Sequence, residues 1–105
     1  EQRKNPDVMF WGIFVQGHHV GNIKATRLPD RAILGLMVGE RGLRGMGIGP
    51  AAIRHAVRRC VRHWKVGLVA AGVHPFNTRS IRAFQKCGFE LSPTAPTRLW
   101  LEKKL

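Results

Sequence analysis

The residues best placed to do chemistry lie in one glycine-dense run, Gly39-Glu40-Arg41-Gly42-Leu43-Arg44-Gly45-Met46-Gly47-Ile48-Gly49-Pro50. Five glycines in twelve residues rule out a helix or strand interior there. An apolar run, Ala32 to Val38, leads into it and a helical pattern follows it. A strand, a glycine loop and a helix N-terminus together can cradle a phosphate. The first helical turn leaves backbone N–H groups unpaired, its dipole favours an anion, and glycine lets oxygens approach the backbone. Arg41 and Arg44 add charge-assisted donors. Two familiar phosphate loops do not fit. A dinucleotide fingerprint needs G-x-G-x-x-G and an acid about twenty residues later, and no acid occurs between Glu40 and Glu90. The nucleotide P-loop needs Gly-Lys-Ser/Thr, which the run lacks. Read alone, the same glycines could also serve tight turns.

The titratable groups offer fewer constellations. His18 and His19 fall on a polar turn, and His74 follows an apolar strand. No Ser-His-Asp or Cys-His arrangement and no metal-ligand spacing can be argued from these positions, so no metal is expected. Cys60 and Cys87 both sit in apolar helical periods, which suits small core hydrophobes better than a disulfide.

The elements that must position these residues can be read from periodicity. Val8 to Val15 and Val20 to Leu28 are strand-like runs joined by Gln16-Gly17-His18-His19, a hairpin signal. Pro29 and Asp30 punctuate a second turn before the third strand, Ala32 to Val38. Beyond the glycine loop, Ile53, Ala56, Val57, Cys60, Val61 and Trp64 recur at helical spacing as one apolar stripe. Arg54, His55, Arg58, Arg59, Arg62 and His63 fill the opposite face. Val66 to Val73 reads as a fourth strand. Asn77 or Thr78 caps a second helix with Ile81, Phe84 and Cys87 inward, and Gly88 ends it. Phe89 to Leu91 is extended, and Thr97 to Leu101 is a final strand before a basic tail. The order predicts a single α/β domain over residues 1–105, with a mixed, mostly antiparallel central sheet and helices on its faces.

Two blocks of this sequence resemble the GCN5-related N-acetyltransferases. Arg44-Gly45-Met46-Gly47-Ile48-Gly49 fits that family's R/Q-x-x-G-x-G/A signature. Asn77-Thr78-Arg79-Ser80-Ile81-Arg82-Ala83-Phe84-Gln85-Lys86-Cys87-Gly88-Phe89-Glu90 is similar to its N-x-x-S/A-I-x-x-Y/F-x-K-x-G-F-E segment, in the family's order and spacing. Within the family, the style is nearest to the branch acting on ribosomal-protein N-termini, sugar amines and aminoglycosides.

The resemblance implies an acetyl-CoA acyltransferase fold, apparently shortened by the family's first strand and two helices. It implies acetyl-CoA as co-substrate and direct attack by a primary amine, of a small molecule or a peptide, in a ternary complex. By it, the strand ending at Leu36-Met37-Val38 would splay, and its backbone, at Met37 and Val38 above all, would hold the pantetheine arm. The N–H groups of Arg44, Gly45, Met46, Gly47, Ile48 and Gly49 would hold the pyrophosphate. Asn77, Ser80 and Phe84 would lie beside the cofactor. Glu40 is the candidate base, its rival role being a loop carboxylate paired with Arg41 or Arg44. Glu90 reads as structural. Many relatives carry Tyr where Phe84 stands, to protonate the leaving thiolate; Phe has no such proton, so Ser80 or water would replace it. Binding without turnover is the alternative implied by that change.

Eighteen Lys and Arg against six Asp and Glu give a formal net charge of +12, a field that draws anionic partners. The stripe of Arg54, Arg58, Arg59 and Arg62 could contact RNA phosphates, but aromatic interleaving is poor, so nucleic acid ranks below an anionic cofactor. No apolar run approaches the roughly 20 residues of a membrane span. The N-terminus lacks a signal-peptide core, and a cytoplasmic setting is the default. Uncovered apolar sheet surface would favour a homodimer.

Overall fold

The computed structural model describes residues 5–39, 47–92 and 99–105 of the chain. The described strands are β1 (Val8–Val15), β2 (His18–Arg27), β3 (Ala32–Val38), β4 (Leu68–Val73), β5 (Glu90–Ser92) and β6 (Leu99–Lys104). The helices are α1 (Ile48–Trp64) and α2 (Thr78–Lys86). One sheet holds all six strands in the order β1-β2-β3-β4-β6-β5. Only the β3–β4 junction is parallel; the other four junctions are antiparallel. A parallel neighbour requires a crossover, and α1 is that crossover.

Both helices pack on one face of the sheet. α1 crosses β2 and β3, α2 crosses β4 and β6, and the two helices touch each other. The core between them and the sheet gathers Ile23, Ala25, Leu34, Ile53, Cys60, Val69, Phe84 and Leu101, all essentially inaccessible. Strand residues alternate as a two-residue period demands. In β2, Ile23 and Ala25 are buried while Lys24 is exposed. Trp11 closes the core's edge and meets His55 of α1 edge-on at 5.5 Å between rings. The other face carries Phe10 and Phe14 of β1 and Met37 of β3, more than 60% exposed in each case.

The structure moves several sequence-based boundaries. The start of α1 is not among them: the helix begins at Ile48, which puts Pro50 in its first turn. Gly47 caps it in the left-handed region at φ 66°, which is glycine territory. Val61 belongs to the predicted apolar stripe but is 40% exposed, because Cys60 and Ala56 supply the contact line. β4 starts at Leu68 and not Val66: Lys65 turns left-handed (φ 55°) to close α1 and is followed by a turn at Gly67. The hairpin turn narrows to Gln16-Gly17, with both histidines inside β2. A register shift after Ile13 leaves Val20 as an unpaired extra residue on β2.

The basic tail is also strand. β6 runs to Lys104, where Glu102 pairs with Arg31 (3.2 Å) and the Lys103 ammonium donates to the Cys87 carbonyl. Of the two capping candidates for α2, Asn77 serves: its Oδ1 accepts the Ser80 N–H at 3.2 Å. Gly88 ends that helix at φ 89° as the sequence predicts, and Phe89 folds back edge-on to Phe84 at 5.0 Å. Both cysteines are buried and reduced. Burial pushes the Cys60 thiol up to about 11 and the Cys87 thiol upward as well.

Candidate functional site

The site begins where the parallel pairing stops. β3 and β4 pair only through Ala32↔Val69, Ile33↔Ala70 and Leu34↔Ala71. β3 continues to Val38 against β2, and β4 continues to Val73 against β6. Past Leu34 and Ala71 the β3–β4 ladder ends, and residues 35–38 of β3 have no strand partner on the β4 side among the described residues. A backbone edge left without a neighbouring strand can be met by a ligand with amide groups. The next rung would set Gly35 opposite Gly72, two positions without side chains.

A cavity of about 190 Å³ occupies the gap, lined by Leu36, Gly72, Val73, His74, Asn77, Ser80 and Phe84. Ser80 is the one buried polar residue of the described core, at 6% exposure. The Asn77 carbonyl oxygen is committed to capping α2, which leaves its NH2 as the donor end. His74 Nδ1 accepts the Phe76 N–H at 3.2 Å, which in the neutral ring puts the proton on Nε2. Phe84 is 1% exposed and forms the wall toward the core.

The N-terminus of α1 supplies a second group of donors. The first intrahelical bond runs from Ala51 N–H to the Gly47 carbonyl at 3.1 Å. The N–H groups of Ile48 and Gly49 precede it, Pro50 has none, and no side chain caps the end. No acidic residue stands in the first turn to compete for those donors. A methyl group built on Gly47 would touch none of the described residues within 4 Å.

Of the residues singled out in the sequence, the cavity thus gathers Asn77, Ser80, Phe84 and His74. Gly47, Ile48 and Gly49 form the adjoining helix start, and Met37 and Val38 lie on the unpaired stretch of β3. Glu40, Arg44, Gly45 and Met46 lie outside the described residues. His18 and His19 stay on the exposed hairpin, where His19 Nε2 bonds Asn22 Oδ1 at 2.9 Å. Gly35 and Gly72 were missed by sequence reasoning. The available signal was a glycine inside each strand, since an interior strand glycine often marks close approach by another group. Among the described residues, no cluster of His, Cys, Asp or Glu could hold a metal ion.

The sequence matches the profile of the Acetyltransferase (GNAT) family over residues 1–89. The chain belongs to the acetyltransferase (GNAT) family. Members use acetyl-CoA as co-substrate. Its fold is similar to that of the GNAT domain of PAT from S. lividans, with TM-score 0.82 and 21% identity over 94% of this chain and 61% of that one. A candidate ribosomal-protein-serine acetyltransferase from Vibrio cholerae gives TM-score 0.84 at 18% identity, covering 94% and 65%. The aminoglycoside acetyltransferase AAC(6')-Ib, solved with coenzyme A, gives 0.78 at 18% identity, covering 94% and 67%. The chain spans about three-fifths to two-thirds of the length of these structures. No curated protein matches it in sequence.

Proposed function

We propose that this chain binds acetyl-CoA in the β3–β4 gap and transfers its acetyl group to a primary amine by direct attack. The observation that carries the reading is the gap itself, a slot with unpaired backbone edges that ends beside an uncapped helix N-terminus. An extended pantetheine arm suits the slot, with the backbone of Met37 and Val38 as its hydrogen-bonding edge. The pyrophosphate suits the turn, with the N–H groups of Gly47, Ile48 and Gly49 joined by those of Arg44, Gly45 and Met46. Asn77 offers its NH2 to the arm, and Ser80 and Phe84 shape the wall beside the thioester.

In the transfer, the amine nitrogen attacks the thioester carbon. A C–N bond forms, the C–S bond breaks, the nitrogen sheds a proton to a base, and the thiolate takes one up. Glu40 is the proposed base. Ser80 is the proposed proton donor, because Phe84 has none to give. That same Phe84 favours a second reading, in which the chain binds acetyl-CoA without turnover.

Titration of acetyl-CoA into the protein tests the binding reading: saturable heat is expected, and none at millimolar ligand overturns it. Thiol release with a panel of amines separates turnover from binding alone. The exposed Phe10 and Phe14 on β1, the strand at the edge of the sheet, support a homodimer through that edge, away from the gap. Light scattering is expected to give twice the chain mass, and a monomer mass removes the dimer.

A further inference from the structure

The acetyl acceptor has a direction of approach and a charge, and both can be argued from the sheet face opposite the helices. The argument rests on the reading that the thioester lies in the β3–β4 gap. On the helix side that gap is backed by the buried Ser80 and Phe84, with the exposed Asn77 at its rim. An amine therefore reaches the thioester from the uncovered face.

Register fixes what stands there. Lys24 pairs directly with Gly35 on one side of the gap, and Gly72 pairs with Trp100 on the other. All four share the uncovered face, because Ile23 and Ala25 turn to the core on either side of Lys24 and Leu101 does so next to Trp100. A methyl group built on Gly35 would meet nothing within 4 Å, so the floor beside Lys24 is open. The platform thus has a cation at one rim, an indole at the other and backbone between them.

Carboxylates are committed elsewhere. The described residues include four acids: Asp7, Asp30, Glu90 and Glu102. Asp7 pairs with Arg27 at 3.0 Å, Asp30 with Arg31 at 3.1 Å and Glu102 with Arg31 at 3.2 Å. Glu90 lies on β5, the strand at the edge of the sheet. Lys24, by contrast, is exposed and has no carboxylate within ion-pair distance among the described residues. A polycation on this platform would find no acid beside Lys24 among the described residues, in a chain of formal charge +12. An anionic substituent would find Lys24 across an open floor.

We propose that the acceptor is a primary amine whose skeleton also carries an anionic group, a phosphate or carboxylate, read by Lys24 over Gly35. Such a charge contact stabilises the bound acceptor and selects against amines with further positive charge.

The test uses matched pairs on the CoA-saturated protein: ethanolamine against O-phosphoethanolamine, and glucosamine against glucosamine 6-phosphate, with kanamycin as the polycation. Calorimetry is expected to show each phosphate ester binding at least about tenfold tighter than its parent, with kanamycin weakest. Rising salt should shrink that preference. Lys24→Glu should abolish the preference and leave the acetyl-CoA dissociation constant unchanged. Lys24→Arg should retain it. Equal affinity within the pairs, tighter kanamycin binding, or a preference that survives Lys24→Glu overturns the proposal. Failure of acetyl-CoA itself to bind is a separate result and overturns the reading beneath it.

Discussion

The two halves of β3 differ more than their sequences do. From Ala32 to Leu34 the strand is paired on both sides and its inward residues are sealed in the core. From Gly35 to Val38 it is paired with β2 alone and faces a cavity. Both halves are apolar, and both sit in the middle of a sheet. The same kind of chain becomes structure where its hydrogen bonds are all met and, on the proposed reading, a binding slot where one row has no neighbouring strand. Stability should therefore depend on the first half and ligand affinity on the second.

Leu34→Ala tests the closed half. Leu34 is 1% exposed, and its truncation should cost about 2–5 kcal/mol in urea unfolding. A loss below 1 kcal/mol would show that the closed half is not the stabilising one. At the open half, Gly47→Asp sets a negative charge and a left-handed aspartate before the helix N-terminus. Acetyl-CoA affinity should drop by about 100-fold, near 2.7 kcal/mol, with little change in unfolding. Unaltered affinity would remove this turn from the phosphate site.

Ser80→Ala probes the wall between the halves. If Ser80 protonates the thiolate, kcat should fall about tenfold or more, with acetyl-CoA affinity held within about threefold. An unchanged kcat would reassign the proton to water.

The smallest effect concerns Cys60. Its thiol is an acid whose pKa the fold raises from 9.0 to about 11. The folded state then holds the proton longer than the unfolded chain, so this contribution is complete below pH 9 and is lost as pH rises toward 11. Thermal midpoints should decline over that window, and Cys60→Ala should flatten the decline. Identical slopes in both proteins would mean that other groups govern the alkaline limb.

How much of this was legible in the sequence follows from how local each feature is. The start of α1 was readable because glycines and a proline leave few backbone choices. The Asn77 cap and the Gly88 stop were readable because each acts within a few residues. The gap was not readable. It depends on where two strands, thirty-seven positions apart at Leu34 and Ala71, cease to pair, and neither strand's own pattern records that. β6 was misjudged because Glu102 and Lys103 look like a solvated tail. Their partners, Arg31 and the Cys87 carbonyl, are distant in sequence. Lys24 looked like any outward strand residue until register set it beside Gly35.

The bulge at Val20 carries one more implication. Its carbonyl accepts the Gly39 N–H at 2.9 Å, one rung beyond the Gly21↔Val38 pair of β2 and β3. The Gly47 carbonyl, at the far end of the glycine run, accepts Ala51 N–H. Gly39 and Gly47, the described residues on either side of positions 40–46, are thus both held by backbone bonds of the scaffold. A sequence exchanged between them need only preserve those two bonds, so the two posts mark where a graft would begin and end.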